Sequence, residues 1–352
     1  MSITSKSICT APATTTPAGI IICVNSRGAI PQRLKGWESF DVEKIAAAVK
    51  QRGYPVRIVG VSDLWRLKAA ELRGAVVYAA TSMFGQYRVA FEAVVHRAEQ
   101  LGAITLPRWE HYLSYENKVF AASIAESKEV RMPAHCLVSS LTEVNEAMRY
   151  CGVPNVWKLP YGCASRNVRL VQDDKQANRL ARRWLGSPVW GNGANPSVAS
   201  RICNRFFGFY SGRGSGTILV ESLVSSPGYD WKVLVWNEKA NALKRINRKN
   251  DFRASGSGVF LRQACSEQVL ELAHESCRKL GLRWGSFDIV EGKHAPIVVE
   301  WQAVHFGTLT SDKADSFYQR TSTGWKEQNG RLSLEGEIAG ALIDELGEAA
   351  TI

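Results

Sequence analysis

The chain has 352 residues and a mass of 38.9 kDa, 45% hydrophobic and 22% charged, which predicts two or three globular domains with ample core. No run approaches the roughly 18 consecutive apolar residues that a membrane span needs, so that class is excluded. The net charge is +11, and eighteen basic against six acidic residues between Lys158 and Arg262 account for it. Such a surplus fits a solvated basic face or an acidic partner, which could be nucleotide phosphates, an acidic peptide or nucleic acid. Nucleic acid is disfavoured, because zinc-finger spacing, an RNP-like strand and a basic zipper are all missing.

In chain order, residues 1–18 are rich in Ser, Thr, Ala and Pro with no apolar run, which predicts a flexible tail and not a secretory signal. Residues 19–108 alternate strand and helix signals. Ile20–Val24 reads as a buried strand, followed by the loop Asn25-Ser26-Arg27-Gly28. Phe40–Arg52 carries apolar positions at helical spacing and stops at Gly53. Val56–Val61 and Ala75–Ala80 read as strands, Tyr87–Leu101 as a helix and Ile104–Leu106 as a strand. The alternation predicts a small parallel sheet covered by helices.

From Trp109 the pattern changes. Tyr115–Glu126 and Thr142–Cys151 read as helices and Cys136–Val138 as a strand. Val156–Leu159 and Val168–Val171 are strands joined by the tight loop Pro160–Asn167, and Lys175–Leu185 is helical. Residues 186–216, rich in Gly, Ser and Asn, read as an insertion or lid loop. The last third is sheet-rich. Ile218–Leu223, Trp231–Trp236, Ala242–Ile246, Gly285–Val290 and Ile297–Trp301 read as strands. Glu267–Leu280 and Leu334–Leu346 read as helices. The fold class is therefore α/β with α+β character. Its expected parts are a first domain over 19–108 and two further units over 109–217 and 218–352. The eight cysteines never form C-x-x-C and lie scattered, several in apolar runs, which predicts reduced thiols and a cytoplasmic setting.

Several familiar sites are missing: a G-x-x-x-x-G-K-[ST] loop, a G-x-G-x-x-G turn, H-E-x-x-H and G-x-S-x-G. The cluster Gly212-x-Gly214-x-Gly216 reads as a flexible linker before it reads as a phosphate cradle. What remains is charge on strands that should be apolar: Lys158 after Val156-Trp157, Asp288 after Ser286-Phe287, and Glu300 after Val298-Val299. Each alone fits a half-exposed strand. Together, two carboxylates on adjacent hairpin strands and a strand lysine also fit a magnesium–nucleotide site, because Mg²⁺ takes one or two carboxylates plus substrate phosphates.

Glu116-Asn117-Lys118, Val156-Trp157-Lys158-Leu159-Pro160-Tyr161-Gly162 and Ala164-Ser165-Arg166-Asn167-Val168 resemble the first half of an ATP-grasp domain. Leu219-Val220-Glu221-Ser222-Leu223, Asp230-Trp231-Lys232-Val233, Asp251-Phe252-Arg253, Ser286-Phe287-Asp288 and Val299-Glu300-Trp301-Gln302 resemble the second. The spacing from Glu221 to Asp230 to Arg253 looks like the RimK-type glutamate-ligase branch. The resemblance covers about residues 109–310 and implies two α+β subdomains that clamp ATP behind a small parallel α/β domain.

It implies that Lys118 and Lys158 hold the α and β phosphates of ATP. The loop Gly162–Asn167, with Gly162 and Ser165, would close over them, and Glu221 and Leu223 would meet the adenine edge. Asp230 would lie on the ribose side, and Asp288, Glu300 and Gln302 would coordinate Mg²⁺ or Mn²⁺. Arg253 would contact the transferred phosphoryl group. Arg245 and Arg248 are candidates for the same work or for a substrate carboxylate, with a solvated basic strand edge as the alternative. Asn25 and Arg27 would face substrate. Two positions depart from the family pattern: Gln302 stands where Asn is usual and Lys232 where Arg is usual.

The resemblance implies an ATP-dependent carboxylate–amine ligase that forms an amide through an acyl phosphate. Its substrates would be amino acids or peptides, with an acidic protein tail among them. A phosphotransferase on the same fold, and a non-catalytic basic binding protein with a vestigial nucleotide site, are the alternatives. A homo-oligomer is expected from frequency alone.

Overall fold

The computed structural model describes residues 19–32, 39–81, 85–162, 167–185 and 216–349. The tail over 1–18, Ser165, Gly212, Gly214 and the stretch 186–215 lie outside the described residues. Three sheets organise the chain.

The first is a four-stranded parallel sheet in the order β4-β1-β5-β6. In chain order the elements here are β1 (Ile20–Val24), the small ribbon β2 (Ile30–Pro31) and β3 (Ser39–Phe40), α1 (Val42–Gln51), β4 (Val56–Gly60), α2 (Val61–Arg66), α3 (Ala69–Leu72), β5 (Val76–Ala79), α4 (Gly85–Gln100) and β6 (Ile104–Leu106). β1 is an unbroken apolar run because both its faces are covered. Ile20, Ile22 and Val24 enter one core, while Ile21 and Cys23 enter another. Asp41 caps α1, its Oδ1 accepting from Lys44 N at 3.0 Å, and Ile45, Ala46 and Val49 are the buried stripe. The expected strand over 56–61 ends at Gly60, and two short helices that periodicity could not show follow it.

The helix expected over 115–126 begins only at Lys118. α5 (Trp109–Ser114) stops, Glu116 adopts φ +54°, and α6 (Lys118–Ser127) restarts with Asn117 as its cap. The second sheet, in the order β7-β10-β8-β9, is antiparallel. Its elements are β7 (His135–Val138), α7 (Val144–Cys151), β8 (Asn155–Lys158), β9 (Val168–Val171), α8 (Asp174–Leu185) and β10 (Ile218–Ser222). Trp157, Val220, Ala177, Ala181 and Trp184 fill the core between sheet and helices.

The third sheet has seven strands, with the path β15-β14-β11-β12-β16-β17 and β13 paired to β12. It contains β11 (Tyr229–Trp236), β12 (Lys239–Ile246), β13 (Phe260–Leu261), α9 (Glu267–Lys279), β14 (Trp284–Glu291), β15 (Pro296–Gln302), α10 (Leu309–Lys313), β16 (Ser316–Thr321) and β17 (Gly324–Asn329). The hairpin β16–β17 is absent from the sequence reading, because neither strand carries an apolar run. Trp231, Val233, Phe287 and Ile289 pack against α9 through Val269, Leu270 and Ala273. By strand alternation, the opposite face of β11 and β14 presents Asp230, Lys232, Ser286 and Asp288. The last helix, α11 (Leu334–Ala349), returns to the first sheet. Ile338, Leu342 and Leu346 share a core with β1, α1 and β5, together with Trp236, Trp284 and Phe306 of the third unit. Among the described residues, no helix is long and apolar enough to cross a membrane.

Candidate active site

β10 leaves the second sheet at Ser222 and the chain enters β11 of the third sheet at Tyr229, so the two sheets face each other across one connection. Between them lies a cleft. Its walls bring together Lys158, Glu221, Leu223, Asp230, Arg253, Asp288 and Glu300, with Pro133, Val156, Val224, Phe252 and Val290 as apolar lining. A mostly apolar cavity with a few convergent charges is the usual form of a small-molecule site.

Cross-strand register explains why these charges meet. Arg245 lies opposite Asp230, Lys232 opposite Asp288, and Asp288 opposite Glu300. Two adjacent rows on one face therefore carry the charges, Arg245–Asp230 in one and Lys232–Asp288–Glu300 in the other. Arg245 grips Asp230 with two bonds of 2.7 Å and also reaches Asp288 Oδ2 at 2.6 Å. Lys232 Nζ lies 2.8 Å from Asp288 Oδ1, close enough for an ion pair but outside hydrogen-bond alignment, so this buried oxygen has no hydrogen bond. Burial pushes the Asp288 carboxyl up, but Arg245 and then Lys232 outweigh it and hold the group down at about 2. At Asp230 burial wins and the carboxyl is raised, despite the same Arg245.

A bulge between the Asp288–Glu300 and Ile289–Val298 pairs leaves Val299 out of the register, and its carbonyl accepts from Lys158 Nζ at 3.2 Å. The same ammonium meets Glu221 Oε2 at 2.5 Å. Gln302 donates its amide to Glu300 Oε1 at 3.2 Å, so the expected final metal ligand sits beside the carboxylate it would act with. Among the described residues no three His, Cys, Asp or Glu side chains form a metal cage. Two facing carboxylates, one with an oxygen lacking a hydrogen bond, are nevertheless a suitable hard-oxygen set for Mg²⁺. This ion commonly takes the rest of its shell from phosphate and water. Asp288 and Glu300, with the Gln302 carbonyl oxygen, are the residues that would hold it.

Arg253 lies on the loop between β12 and β13. Asp251 binds its Nε at 2.9 and 3.0 Å and its Nη2 at 2.5 Å, and Nη1 reaches the Val168 carbonyl at 3.4 Å across the cleft. Lys118 starts α6 and is tied to the neck of the 160–167 loop. Its amide donates to Pro160 O at 2.8 Å and its Nζ to Gly162 O at 2.5 Å. Gly162 has φ +131°, and a Cβ there would stand 2.7 Å from Asn167 Nδ2.

Seven described residues among those predicted are not part of the cleft wall: Lys118, Gly162 and Gln302, placed above, and Arg245, Arg248, Asn25 and Arg27. Arg245 is buried behind it. Arg248 spends its guanidinium on the Ser255 carbonyl and shapes the loop that carries Arg253. Asn25 is buried and accepts from the amides of Arg27 at 2.9 Å and Ala29 at 3.1 Å, which sets the turn after β1 that also holds Arg27. The chain that follows this loop still approaches the strand carrying Glu300 and Gln302, since Gln32 donates to Val304 O at 2.6 Å, just beyond Gln302.

Two residues of the site had no assigned role in the sequence reading. Lys232 is one. Glu116 is the other: its carboxyl is raised by burial and then by Glu300, which outweigh the lowering effects of Lys118 and Arg88. The Glu-Asn-Lys run was visible in the sequence, but the left-handed backbone that turns Glu116 inward was not.

Solved structures share this architecture. The ATP-grasp ligase PsnB complexed with its minimal precursor aligns with a TM-score of 0.53 and 15% identity, over 94% of this chain and 100% of that chain. PsnB complexed with minimal precursor, Mg and ADP aligns at 0.53 and 14%, over 93% and 98%. The ADP complex of purK, N5-carboxyaminoimidazole ribonucleotide synthetase, aligns at 0.50 and 12%, over 85% and 73%. No family model and no curated protein matches the chain. The chain has the ATP-grasp fold.

Proposed function

We propose that this chain is an ATP-dependent carboxylate–amine ligase acting on amino acids or peptides. The observation that carries the reading is the convergence of Lys158, Arg253, Asp288 and Glu300 on one cleft at the junction of the two clamp sheets. Solved relatives in fold hold nucleotide, and PsnB was solved with a peptide precursor, Mg and ADP, which supports the same classes of ligand here.

In the proposed reaction a substrate carboxylate attacks the γ-phosphate of ATP, giving an acyl phosphate and ADP. An amine then attacks the acyl carbon and phosphate leaves. The first step concentrates negative charge on the transferring group, so catalysis is positioning and electrostatic stabilisation and needs no protein nucleophile. Lys118 and Lys158 hold phosphates, and Arg253 faces the group in flight. Bound Mg²⁺ would neutralise phosphate charge. Asp288 keeps its negative charge for this role because Arg245 and Lys232 flank it. Glu116, whose carboxyl is raised by burial and by Glu300, is the group we assign to receiving a cationic amine.

The test is phosphate release from Mg·ATP with single amino acids, pairs and short acidic peptides, with mass spectrometry of the products. ADP, phosphate and a product one condensation heavier are expected. A phosphorylated product without condensation, or an absence of ATP binding, overturns the ligase reading.

A further inference from the structure

Two thiols meet beside the second sheet although their sequence spacing does not announce them. Cys136 and Cys151 stand 15 positions apart with no C-x-x-C between them, so the fold makes the pair. α7 buries Val144, Ala147, Met148 and Cys151, a helical stripe laid on the sheet, and ends there because Gly152 turns the backbone at φ +73°. On β7 the alternation that buries Val138 turns Cys136 to the same side, where it packs against the same core. The two Sγ atoms lie 3.7 Å apart. Cys23 belongs to a core of the first sheet, and Cys265 and Cys277 to that of the third.

The two sulfurs are not equivalent. Cys136 is partly exposed and lines a surface groove with Glu146 and Arg149, whereas Cys151 is 5% exposed. Donation from the Cys151 S–H holds the Cys136 thiol below its ordinary range, against the opposing effects of burial and Glu146. The Cys151 thiol is raised, by its bond with Cys136 and by burial. The thiolate is the reactive form, so Cys136 is the sulfur suited to attack and Cys151 the one suited to resolve.

Cys151 also braces β10. Val220 O is a second acceptor for its S–H, at 3.4 Å, and its own carbonyl accepts from Ser222 Oγ at 2.8 Å. Those two residues flank Glu221, whose carboxylate meets Lys158 in the cleft. A disulfide needs about 2.05 Å between its sulfurs. Forming one draws the end of α7 toward β7 and takes the S–H away from Val220 O.

We propose that Cys136 and Cys151 form a redox-active pair that a hydroperoxide converts to a disulfide, loosening β10 behind Glu221. The Cys136 thiolate attacks the peroxide: an S–O bond forms, the O–O bond breaks, and hydroxide or alkoxide leaves. The peroxide is reduced by two electrons and the sulfur oxidised by two, to a sulfenic acid. The Cys151 sulfur then attacks the Cys136 sulfur, the S–S bond forms, and the S–O bond breaks, with hydroxide leaving as water with the Cys151 proton. An effect on nucleotide binding rests on the ATP reading above, and the disulfide itself does not.

The experiment treats the reduced full chain with stoichiometric hydrogen peroxide, blocks free thiols with iodoacetamide and maps it with trypsin without reductant. Cleavage after Arg131, Arg149 and Lys158 puts the two cysteines on separate peptides, 132–149 and 150–158. The bond is therefore read as one cross-linked mass that dithiothreitol splits, and this species is expected to dominate the disulfides. Dimedone is expected to mark Cys136 in Cys151→Ser and to leave Cys151 unmarked in Cys136→Ser, with alanine used if serine impairs folding. Unlinked peptides, or Cys136 joined mainly to another cysteine, overturn the pair. A dimedone adduct on Cys151 overturns the assignment of the attacking sulfur. Calorimetric affinity for Mg·ATP is expected to fall severalfold on oxidation, to return with dithiothreitol, and to ignore peroxide in Cys136→Ser/Cys151→Ser. Equal affinities of the reduced and disulfide-linked chains overturn the coupling to β10. A reduced chain that binds no Mg·ATP overturns the nucleotide reading instead, and the cross-linked mass alone then decides the pair.

Discussion

Arg253 and Asp288 both line the cleft from the side of the third sheet, but the tasks proposed for them differ, so their substitutions separate. Arg253 is oriented by Asp251 and points its remaining nitrogen across the cleft. Replacing it with Ala removes one preorganised cation and is expected to lower turnover by on the order of 10² to 10³, with ATP affinity changed far less. Steady-state kinetics of phosphate release checks this, and unchanged kcat removes Arg253 from the reacting centre. Asp288→Asn leaves Lys232 and Arg245 with one anion fewer and replaces an oxygen proposed as a metal ligand. Calorimetric titration with Mg·ATP is expected to show lost Mg²⁺ dependence, and wild-type affinity refutes the metal assignment. At this scale the sequence was informative wherever a charge stood in an apolar strand. It named Arg245 as a candidate for the phosphoryl group or a substrate carboxylate but not as the buried partner of Asp230, which depends on register, and it gave Glu116 no role of its own, because the positive φ there is a backbone event.

Elements were legible where one face is continuously apolar, as in β1, α1 and α9, and illegible where short or polar. β16 and β17 carry too little apolar surface to announce themselves, α5 is too short to show a period, and α6 starts later than the helix read from Tyr115 because the break before it is a backbone event. The junction made by α5 supplies a pH prediction. His111 on α5 is 1% exposed; its Nδ1 accepts from Arg108 N at 3.1 Å and its Nε2 donates to Leu280 O, at the end of α9, at 2.9 Å. Burial lowers its pKa from 6.5 to about 4, so the folded state holds the ring neutral. Between those values the unfolded chain takes up a proton that the folded chain refuses, and stability falls as pH drops through the window. The full loss is about 3 kcal/mol. Urea unfolding at pH 7 and just above pH 4 is expected to show a smaller difference for His111→Gln than for wild type. Equal differences place the titration elsewhere. A second element, the neck of the 160–167 loop, tolerates only glycine at Gly162, given its φ of +131° and the nearby Asn167 amide. Gly162→Ala is expected to weaken ATP binding severalfold while Lys118 loses its carbonyl partner, and unchanged affinity in a nucleotide titration separates this neck from the site.

The whole molecule is less modular than its three sheets imply. Reading strands and helices in order places α11 with the third sheet, because neighbours in sequence are usually neighbours in space. Instead Ile338, Leu342 and Leu346 complete the core of the first sheet, and Trp236 and Trp284 of the third join them. Hydrophobic periodicity shows that α11 has an apolar face but not which sheet receives it. The consequence is a shared core that ties the first residues of the described chain to the last. Leu342 is fully buried in that core. Leu342→Ala is therefore expected to cost about 2–5 kcal/mol. The loss should appear as one transition shifted downward in calorimetry, since unfolding the first sheet exposes the third sheet's tryptophans as well. Two separated transitions, with only one moved by the substitution, mean that the first domain melts alone and that the shared core contributes little. Nucleotide affinity at low temperature is expected to stay at the wild-type value, because the core that α11 enters contains no residue of the cleft wall named above. A fall in that affinity instead means that the first sheet, through the Gln32–Val304 contact, helps to set the strand carrying Glu300 and Gln302.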